Sequence, residues 1–299
     1  MILNKLSIGD KKIFDKYLRL KPHGLSAYAF ANIYIWNKFF DIRWLIIRKS
    51  LCVFFKDKIG AFLYLSPLAV ECDPRVVKKV FEVLIKLNVN PEFAHIENIE
   101  AKDLRFYRGL GFDCSLKSHD YLCLRTELES LQGNRFKSKR ASCNYFKKNF
   151  KYSYRAISLK DRRECLGLYS LWAGQRKKGN LDHFYQALIE DSRIALEEAL
   201  DHYSDLGFKG VLVMVEDKVK AFTFGFEINK ESFCILYEIT DLTYKGLAQF
   251  IFSCFCGELK GYRYINIMDD SCLENLKKVK LSYHPEYLIP AYIARKNNG

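Results

Sequence analysis

The stretch Val211–Thr240 reads V-L-V-M-V-E-D-K-V-K-A-F-T-F-G-F-E-I-N-K-E-S-F-C-I-L-Y-E-I-T. Val211–Val215 is a run of branched and apolar residues, Glu216-Asp217-Lys218 is a turn, and Val219–Ile228 is a return strand. A second turn at Asn229–Ser232 brings Phe233–Thr240 alongside as a third strand. Beyond this meander, Lys245–Leu259 is an apolar helix, Tyr264–Met268 a strand, Ser271–Val279 a helix and Tyr287–Ala294 a final strand. Strands that pair through tight turns, followed by strands reached through helices, specify an α/β (α+β) unit with a mixed central sheet.

The same order occurs earlier in the chain. Leu51–Phe55, a turn at Lys56-Asp57-Lys58 and Ile59–Leu65 form a hairpin, and Asp73-Pro74 opens a helix that runs to Leu87. Phe93–Ile99 is a strand, Asp103–Gly109 a short helix and Tyr121–Arg125 a last strand. Asp57-Lys58-Ile59-Gly60-Ala61-Phe62 is echoed by Asp217-Lys218-Val219-Lys220-Ala221-Phe222. Hairpin, helix, strand, helix and strand follow both phrases, which points to two copies of one unit, over residues 1–126 and 127–299. Residues 1–50 read as helical and aromatic, with a turn at Pro22-His23-Gly24. Phe30–Trp36 fits a helix or a strand equally.

The joint between the copies is Asn134–Lys151, which holds seven Lys or Arg and no acid. Phe136, Arg140, Cys143, Phe146 and Phe150 recur at three- and four-residue steps, the spacing of one helix face. Two helices follow, over Leu159–Gln175 and Leu181–His202, separated by a basic loop, Arg176-Lys177-Lys178-Gly179-Asn180. The second carries Glu190, Asp191, Glu197, Glu198 and Asp201, an acidic face able to neutralise the basic helix.

A formal net charge of +13 points to an anionic partner: nucleic acid, a phosphorylated ligand or an acidic membrane surface. The ten cysteines include no CxxC pair and several fall in apolar runs, where free Cys behaves as a small hydrophobe, so they read as reduced thiols. With no secretory signal at Met1–Asp10, the expected location is the cytoplasm. No apolar run reaches the roughly 18 residues of a membrane span. Contact with a membrane would therefore be peripheral. HExxH, Walker A and GxSxG patterns and zinc-spaced His/Cys sets do not occur in the sequence.

Leu104-Arg105-Phe106-Tyr107-Arg108-Gly109-Leu110-Gly111-Phe112 resembles the late helix and turn of the GNAT acyltransferase fold. A larger resemblance is carried by three segments. One is Asp120–Leu128 running into Leu131–Arg140 and Asn144-Tyr145-Phe146. Another is Glu238 through Gly246-Leu247-Ala248-Gln249. The third is Tyr264-Ile265-Asn266 with Asp269-Asp270 and Leu276–Pro285. Together they are similar to the phosphatidylglycerol lysyltransferase C-terminal domain family, tandem GNAT proteins related to the Fem-type aminoacyl transferases. The chain departs from the family phrases at Met268, where a Glu is usual, and at Arg140-Ala141, where Arg-Asn is expected. The resemblance implies two tandem GNAT-like units and transfer of an acyl or aminoacyl group to an amine or hydroxyl. The donor it implies is a charged tRNA (aminoacyl-tRNA) or an acyl-CoA.

On that reading Glu238 and Asp241 flank the end of a strand at the cleft, as base or as anchor for an amine, with ion pairing to nearby cations as the plain alternative. Tyr283 or His284 would relay a proton. Lys139 and Arg140, with Asn144, suit an anionic donor. Asn266, Asp269, Lys280 and the loop at Gly246 would position substrate. Asp241-Leu242-Thr243-Tyr244-Lys245-Gly246 holds one glycine and Ser66-Pro67-Leu68-Ala69 none, a poor match to a pyrophosphate-gripping loop. Two further functions fit the same residues: a CoA-dependent N-acetyltransferase, and a non-catalytic protein that binds nucleic acid or another anion.

Overall fold

The computed structural model describes residues 2–178 and 182–296. In chain order its elements begin with β1 (Asn4–Lys5), α1 (Lys11–Leu18), α2 (Phe30–Tyr34), β2 (Asp41–Ile47), β3 (Ser50–Lys56) and β4 (Ala61–Leu63). They continue with α3 (Pro74–Leu87), β5 (His95–Glu100), α4 (Leu104–Gly109), β6 (Phe112–Leu124), α5 (Arg125–Ser130), α6 (Lys137–Asn149) and β7 (Tyr152–Ala156). Then come α7 (Arg162–Lys178), α8 (His183–Asp201), β8 (Lys209–Val215), β9 (Lys218–Asn229) and β10 (Ser232–Thr240). The last are α9 (Leu247–Glu258), β11 (Tyr264–Asn266), α10 (Glu274–Leu281) and β12 (Tyr287–Lys296). None of these helices is long and apolar enough to cross a membrane.

The chain divides into two compact units. The first comprises Met1–Asp120, Asp269–Glu274 and Leu288–Gly299. In it β2 pairs antiparallel with β3 from Asp41↔Lys56 to Ile47↔Ser50. The hairpin is closed by Arg48-Lys49 at φ +48° and +68°, the two left-handed residues of a type I′ turn. β3 pairs antiparallel with β4, and β4 reaches its parallel partner β5 through α3. Asp73 caps α3 by accepting from the Arg75 N–H at 2.9 Å, with Pro74 in the first turn. Val76, Val77, Val80, Phe81 and Leu84 then face the core with Phe54, Leu63 and Ile96.

The second unit comprises Tyr121–Met268 and Asn275–Tyr287. β8 and β9 form a hairpin whose turn residues, Glu216 and Asp217, have φ +52° and +56°. β9 pairs antiparallel with β10, and β10 pairs parallel with β11 across α9. Leu122–Leu124 at the end of β6 pair antiparallel with β11. α6 packs on α9, with Phe146 at 5.0 Å from Phe250 between ring centroids. The approach is closest at Gly246, where a Cβ would sit 2.0 Å from the carbonyl oxygen of Ser142. Gly246 also has φ +86°, so glycine is required there twice over.

Several expectations change. Asp41–Ile47 is a strand and, within Phe30–Trp36, Phe30–Tyr34 is helical, so the N-terminal region contributes to the sheet as well as to helices. Alternate burial of Ile42, Leu45 and Ile47 against exposed Asp41 and Ile46 marks that strand. The echo between Asp57-Lys58 and Asp217-Lys218 is out of register. The turn equivalent to Glu216-Asp217 by pairing and by φ is Arg48-Lys49, whereas Asp57 lies in the next turn, between β3 and β4. The strand expected to close the second copy, β12, pairs with β5 through Ala291↔Glu100 and Arg295↔His95 and belongs to the first unit. β11 stops at Asn266 because Met268 takes φ +60°. α7 continues through Arg176–Lys178, the start of the expected basic loop, while Gly179 and Asn180 lie outside the described residues. The carboxylates of α8 pair with Lys177 and Arg162 of α7 and with Arg193 of α8 itself.

Candidate functional site

Parallel pairing of β10 with β11 lasts for three residues, Ser232↔Tyr264 to Cys234↔Asn266. From Ile235 onward β10 is paired with β9 alone, and a register shift between Ile235 and Tyr237 marks a bulge. β10 therefore parts from β11, leaving a wedge along the free side of Ile235–Thr240. Glu238 lies in that segment, directly opposite Thr223 of β9. Opposed residues share a sheet face. For Glu238 this is the face of Ile235, Val213 and Ala221, which packs with α6 and α9.

Glu238 is half-buried, and among the described residues it forms no ion pair within 4 Å and no hydrogen bond. Stripping of its solvation by the surrounding protein raises its carboxyl to about 7, against the opposing pull of Lys139 and Lys280. Lys139 reaches this region from α6. Its ammonium lies 3.8 Å from the centroid of the Tyr283 ring and donates to the Ser282 hydroxyl at 2.7 Å. Burial lowers its pKa, while the charge of Glu238 works the other way. Lys280 is anchored through its ammonium to the carbonyls of Ile267 and Met268.

Tyr283 is buried, and desolvation together with the charge of Glu238 pushes its hydroxyl well above the usual range. Its ring is tilted against Phe252 at 4.7 Å. Three thiols that the sequence did not single out belong to the same electrostatic neighbourhood. Cys123, raised by burial to about 12, and Cys143, raised to about 11, both feel Lys139, and the deeply buried Cys256 feels Glu238. All three are protonated at neutral pH and act as small apolar packing groups rather than nucleophiles. Cys123 and Cys256 sit in apolar runs and Cys143 on the apolar seam of α6, but their proximity to Glu238 has no local sequence signal.

The other expected residues separate from this cluster. Asp241 is buried and fully engaged. It accepts from Lys220 Nζ at 3.0 Å, Gln175 Nε2 at 3.1 Å, and the Thr243 N–H and hydroxyl at 3.1 and 2.8 Å. Desolvation works against ionisation, but these donors outweigh it and hold the carboxyl at about 2. Two carboxylates three residues apart are thus driven in opposite directions, one held ionised by its donors and one pushed toward its neutral form by desolvation. Arg140 is spent on the carbonyls of Leu131 and Gly133, where it secures the turn between α5 and α6. Asn144 is exposed on α6. Asn266 is completely buried, and its Oδ1 accepts from the Met268 N–H at 2.7 Å. Asp269 accepts from the Ser271 N–H at 2.8 Å in an Asx turn and falls in the first unit. His284 meets Phe136 edge-on at 5.2 Å.

Five backbone N–H groups of the segment leading into α9 already have acceptors. The N–H groups of Asp241 and Leu242 donate to Lys220 O and Gln175 Oε1, and that of Thr243 donates to Asp241 Oδ1. Those of Tyr244 and Leu247 go to the carbonyls of Asp241 and Tyr244. Among the described residues no group of three or more His, Cys, Asp or Glu is arranged to hold a metal ion.

Comparison with known proteins agrees with this architecture. A conserved protein of unknown function from Bacteroides thetaiotaomicron is similar with a TM-score of 0.87 and 25% identity, covering 99% of this chain and 100% of that one. L-PGS from Bacillus licheniformis is similar with a TM-score of 0.69 and 16% identity, covering 100% and 95%. FemX follows at a TM-score of 0.62 and 11% identity, covering 98% and 97%. No curated protein sequence matches the chain. Both units have the GNAT-like acyltransferase topology, in tandem. The family model for the C-terminal region of phosphatidylglycerol lysyltransferase matches residues 18–295, and the chain belongs to that family.

Proposed function

We propose that the second unit transfers an aminoacyl or acyl group from an activated donor to an amine or hydroxyl, with Glu238 as the base. The observation that carries this reading is an ionisable carboxylate without a bonded partner, raised to about 7, at the point where β10 leaves β11. A base with a pKa near the working pH is ionised often enough to accept a proton and is basic enough to keep it. Glu238 takes the proton of the attacking amine or hydroxyl as the new bond to the donor carbonyl forms; the donor's ester or thioester bond then breaks, and its oxygen or sulfur leaves with that proton. The free edge of β10 offers backbone N–H groups to the developing oxyanion. Lys139 and Lys280 favour the ionised base and attract the anionic donor, while Tyr283 holds Lys139 in place through its ring. Asp241 acts in this scheme by fixing the loop.

A charged tRNA suits this site better than acyl-CoA. A pyrophosphate is gripped by unoccupied backbone N–H groups at a helix start. Here those of Asp241–Tyr244 and Leu247 are already spent, and the Ser142 carbonyl oxygen crowds Gly246. The exposed Lys137, Lys147 and Lys148 of α6 offer phosphate contacts instead. The test compares donors on the full chain. Aminoacyl-tRNA should support transfer to a soluble amine, with donor binding that weakens steeply with salt, and acetyl-CoA should neither be consumed nor raise Tm. Acetyl transfer without aminoacyl transfer would overturn the donor assignment. Unchanged turnover in Glu238→Gln would remove Glu238 from the chemistry.

A further inference from the structure

Thr223 of β9 is completely buried, and among the described residues its hydroxyl makes no hydrogen bond. It stands directly opposite Glu238 in the β9–β10 pairing, so the two side chains share the sheet face that packs with α6 and α9. Its other neighbours on that face are apolar: Ala221 precedes it on β9 and Val211 faces it from β8. Packing alone does not explain a threonine in this place. Valine has the same shape and the same preference for strands, and it would bury no polar group. The unbonded hydroxyl of Tyr203 lies elsewhere, packed with Phe224 on the opposite face of β9. At Thr223 the unspent hydroxyl coincides with a carboxyl that also lacks a bonded partner.

The titratable groups that act on Glu238 come from several elements. Lys139 approaches from α6, Lys280 from α10, Tyr283 from just beyond it and Cys256 from α9. The two ammoniums are bonded to the Ser282 hydroxyl and to the carbonyls of Ile267 and Met268. We propose that Thr223 is the positioning residue of Glu238: its hydroxyl donates to the carboxylate once Glu238 ionises, and so fixes which oxygen takes the acceptor's proton. Opposed residues have Cβ atoms about 4.5–5.5 Å apart, and the longer glutamate chain supplies the rest of the reach. Side-chain rotation closes the contact without moving the backbone. A hydrogen bond to a charged group is about twice as strong as a neutral one, so the contact forms on ionisation, when the base is ready to act. With one oxygen held, the other is left to the wedge. This inference rests on the transfer reading for the role of Glu238, whereas the contact itself is read without turnover.

The test is a carbon-13 titration of the Glu238 carboxyl in the full chain, with Glu238→Gln identifying the signal. Thr223→Val keeps the shape and loses a donor to the ionised form, so the midpoint should move up by about one pH unit. Thr223→Ala should move it the same way, and Thr223→Ser should titrate as the wild type does. The rise of kcat/KM with aminoacyl-tRNA should shift with the carboxyl in each variant. Because the hydroxyl has no partner while Glu238 is neutral, Thr223→Val should resist urea at least as well as the wild type near about pH 5. A purely structural threonine would change stability and leave the titration alone. The inference is overturned if the midpoints of Thr223→Val and Thr223→Ala equal that of the wild type, or if Thr223→Ser follows Thr223→Val. Transfer by the wild type with unmoved midpoints would overturn this inference alone. Midpoints that move in a chain that transfers nothing would overturn the transfer reading and leave the contact between Thr223 and Glu238 standing.

Discussion

A base that is held neutral in the folded protein should cost stability, and at Glu238 the cost can be worked out. The folded carboxyl titrates at about 7 and an unperturbed Glu at 4.5. Below the lower value both states carry the proton, and Glu238 adds no pH dependence. As pH rises between the two values the unfolded chain loses the proton and the folded chain keeps it, so stability falls by about 1.4 kcal/mol per pH unit. Above about 7 both forms are ionised and the loss levels off, at about 3 kcal/mol at most. Glu238→Gln copies the neutral form and escapes this loss. Urea unfolding of wild type and variant at several pH values between about 4 and 8 should show the variant gaining relative stability steadily and then holding it. The same variant should lose transfer, so stability and activity move in opposite directions. A stability difference that does not change with pH would refute the reasoning, as would a carbon-13 titration of the Glu238 carboxyl with its midpoint in the ordinary range.

Removing either cation should move that midpoint further up: Lys139→Met or Lys280→Met shifts the rise of kcat/KM to higher pH, and an unmoved profile would separate the lysine from Glu238. Gly246→Ala should destabilise the chain by about 3 kcal/mol or more, because its Cβ meets the Ser142 backbone and the φ is left-handed; chemical denaturation with near-wild-type stability would show that α6 is free to retreat. Asn88→Ala should cost about 2–4 kcal/mol, since it removes three buried hydrogen bonds, two to Ala61 and one to the Leu84 carbonyl, read as a drop in the denaturant midpoint. Asp161→Asn should cost about 2 kcal/mol at neutral pH. Asp161 is buried and held at about 2 chiefly by Arg155, so the difference should vanish as pH falls through that value.

The fold was readable wherever one element's own chemistry settles its conformation. Asp73-Pro74 announces α3 because a cap and a restrained φ are local facts. The β8–β9–β10 meander is equally plain, since each turn is bracketed by apolar strands. The repeat was harder to place in register. Its structural marker is a pair of left-handed residues, filled by Arg48-Lys49 in one copy and Glu216-Asp217 in the other. None of these is the Asn or Gly that usually betrays such a turn. The Asp-Lys letters drew attention to the wrong hairpin. β12 misled for a different reason. Nothing in Tyr287–Lys296 states which sheet it joins, because strand partners are chosen by long-range pairing rather than by propensity.

The site divides along the same line. Glu238 and Asp241 look alike in sequence, two carboxylates at the end of one apolar strand. Gln175, Lys220 and Thr243 distinguish them: they supply donors to Asp241, and no described residue supplies any to Glu238. Gln175 comes from α7, far away in the chain, so no local pattern could have shown which carboxylate stays available for chemistry. Arg140 makes the converse point. Its place in a family phrase suggested an anionic ligand, yet the carbonyls of Leu131 and Gly133 already occupy its guanidinium. Lys139, its neighbour, has the freedom that Arg140 lacks, because a single amine can leave Ser282 for a ligand while Tyr283 keeps its charge in place. On the proposed reading, the chemistry of this wedge rests on one carboxylate that folding leaves without a donor, and that property belongs to the assembled second unit.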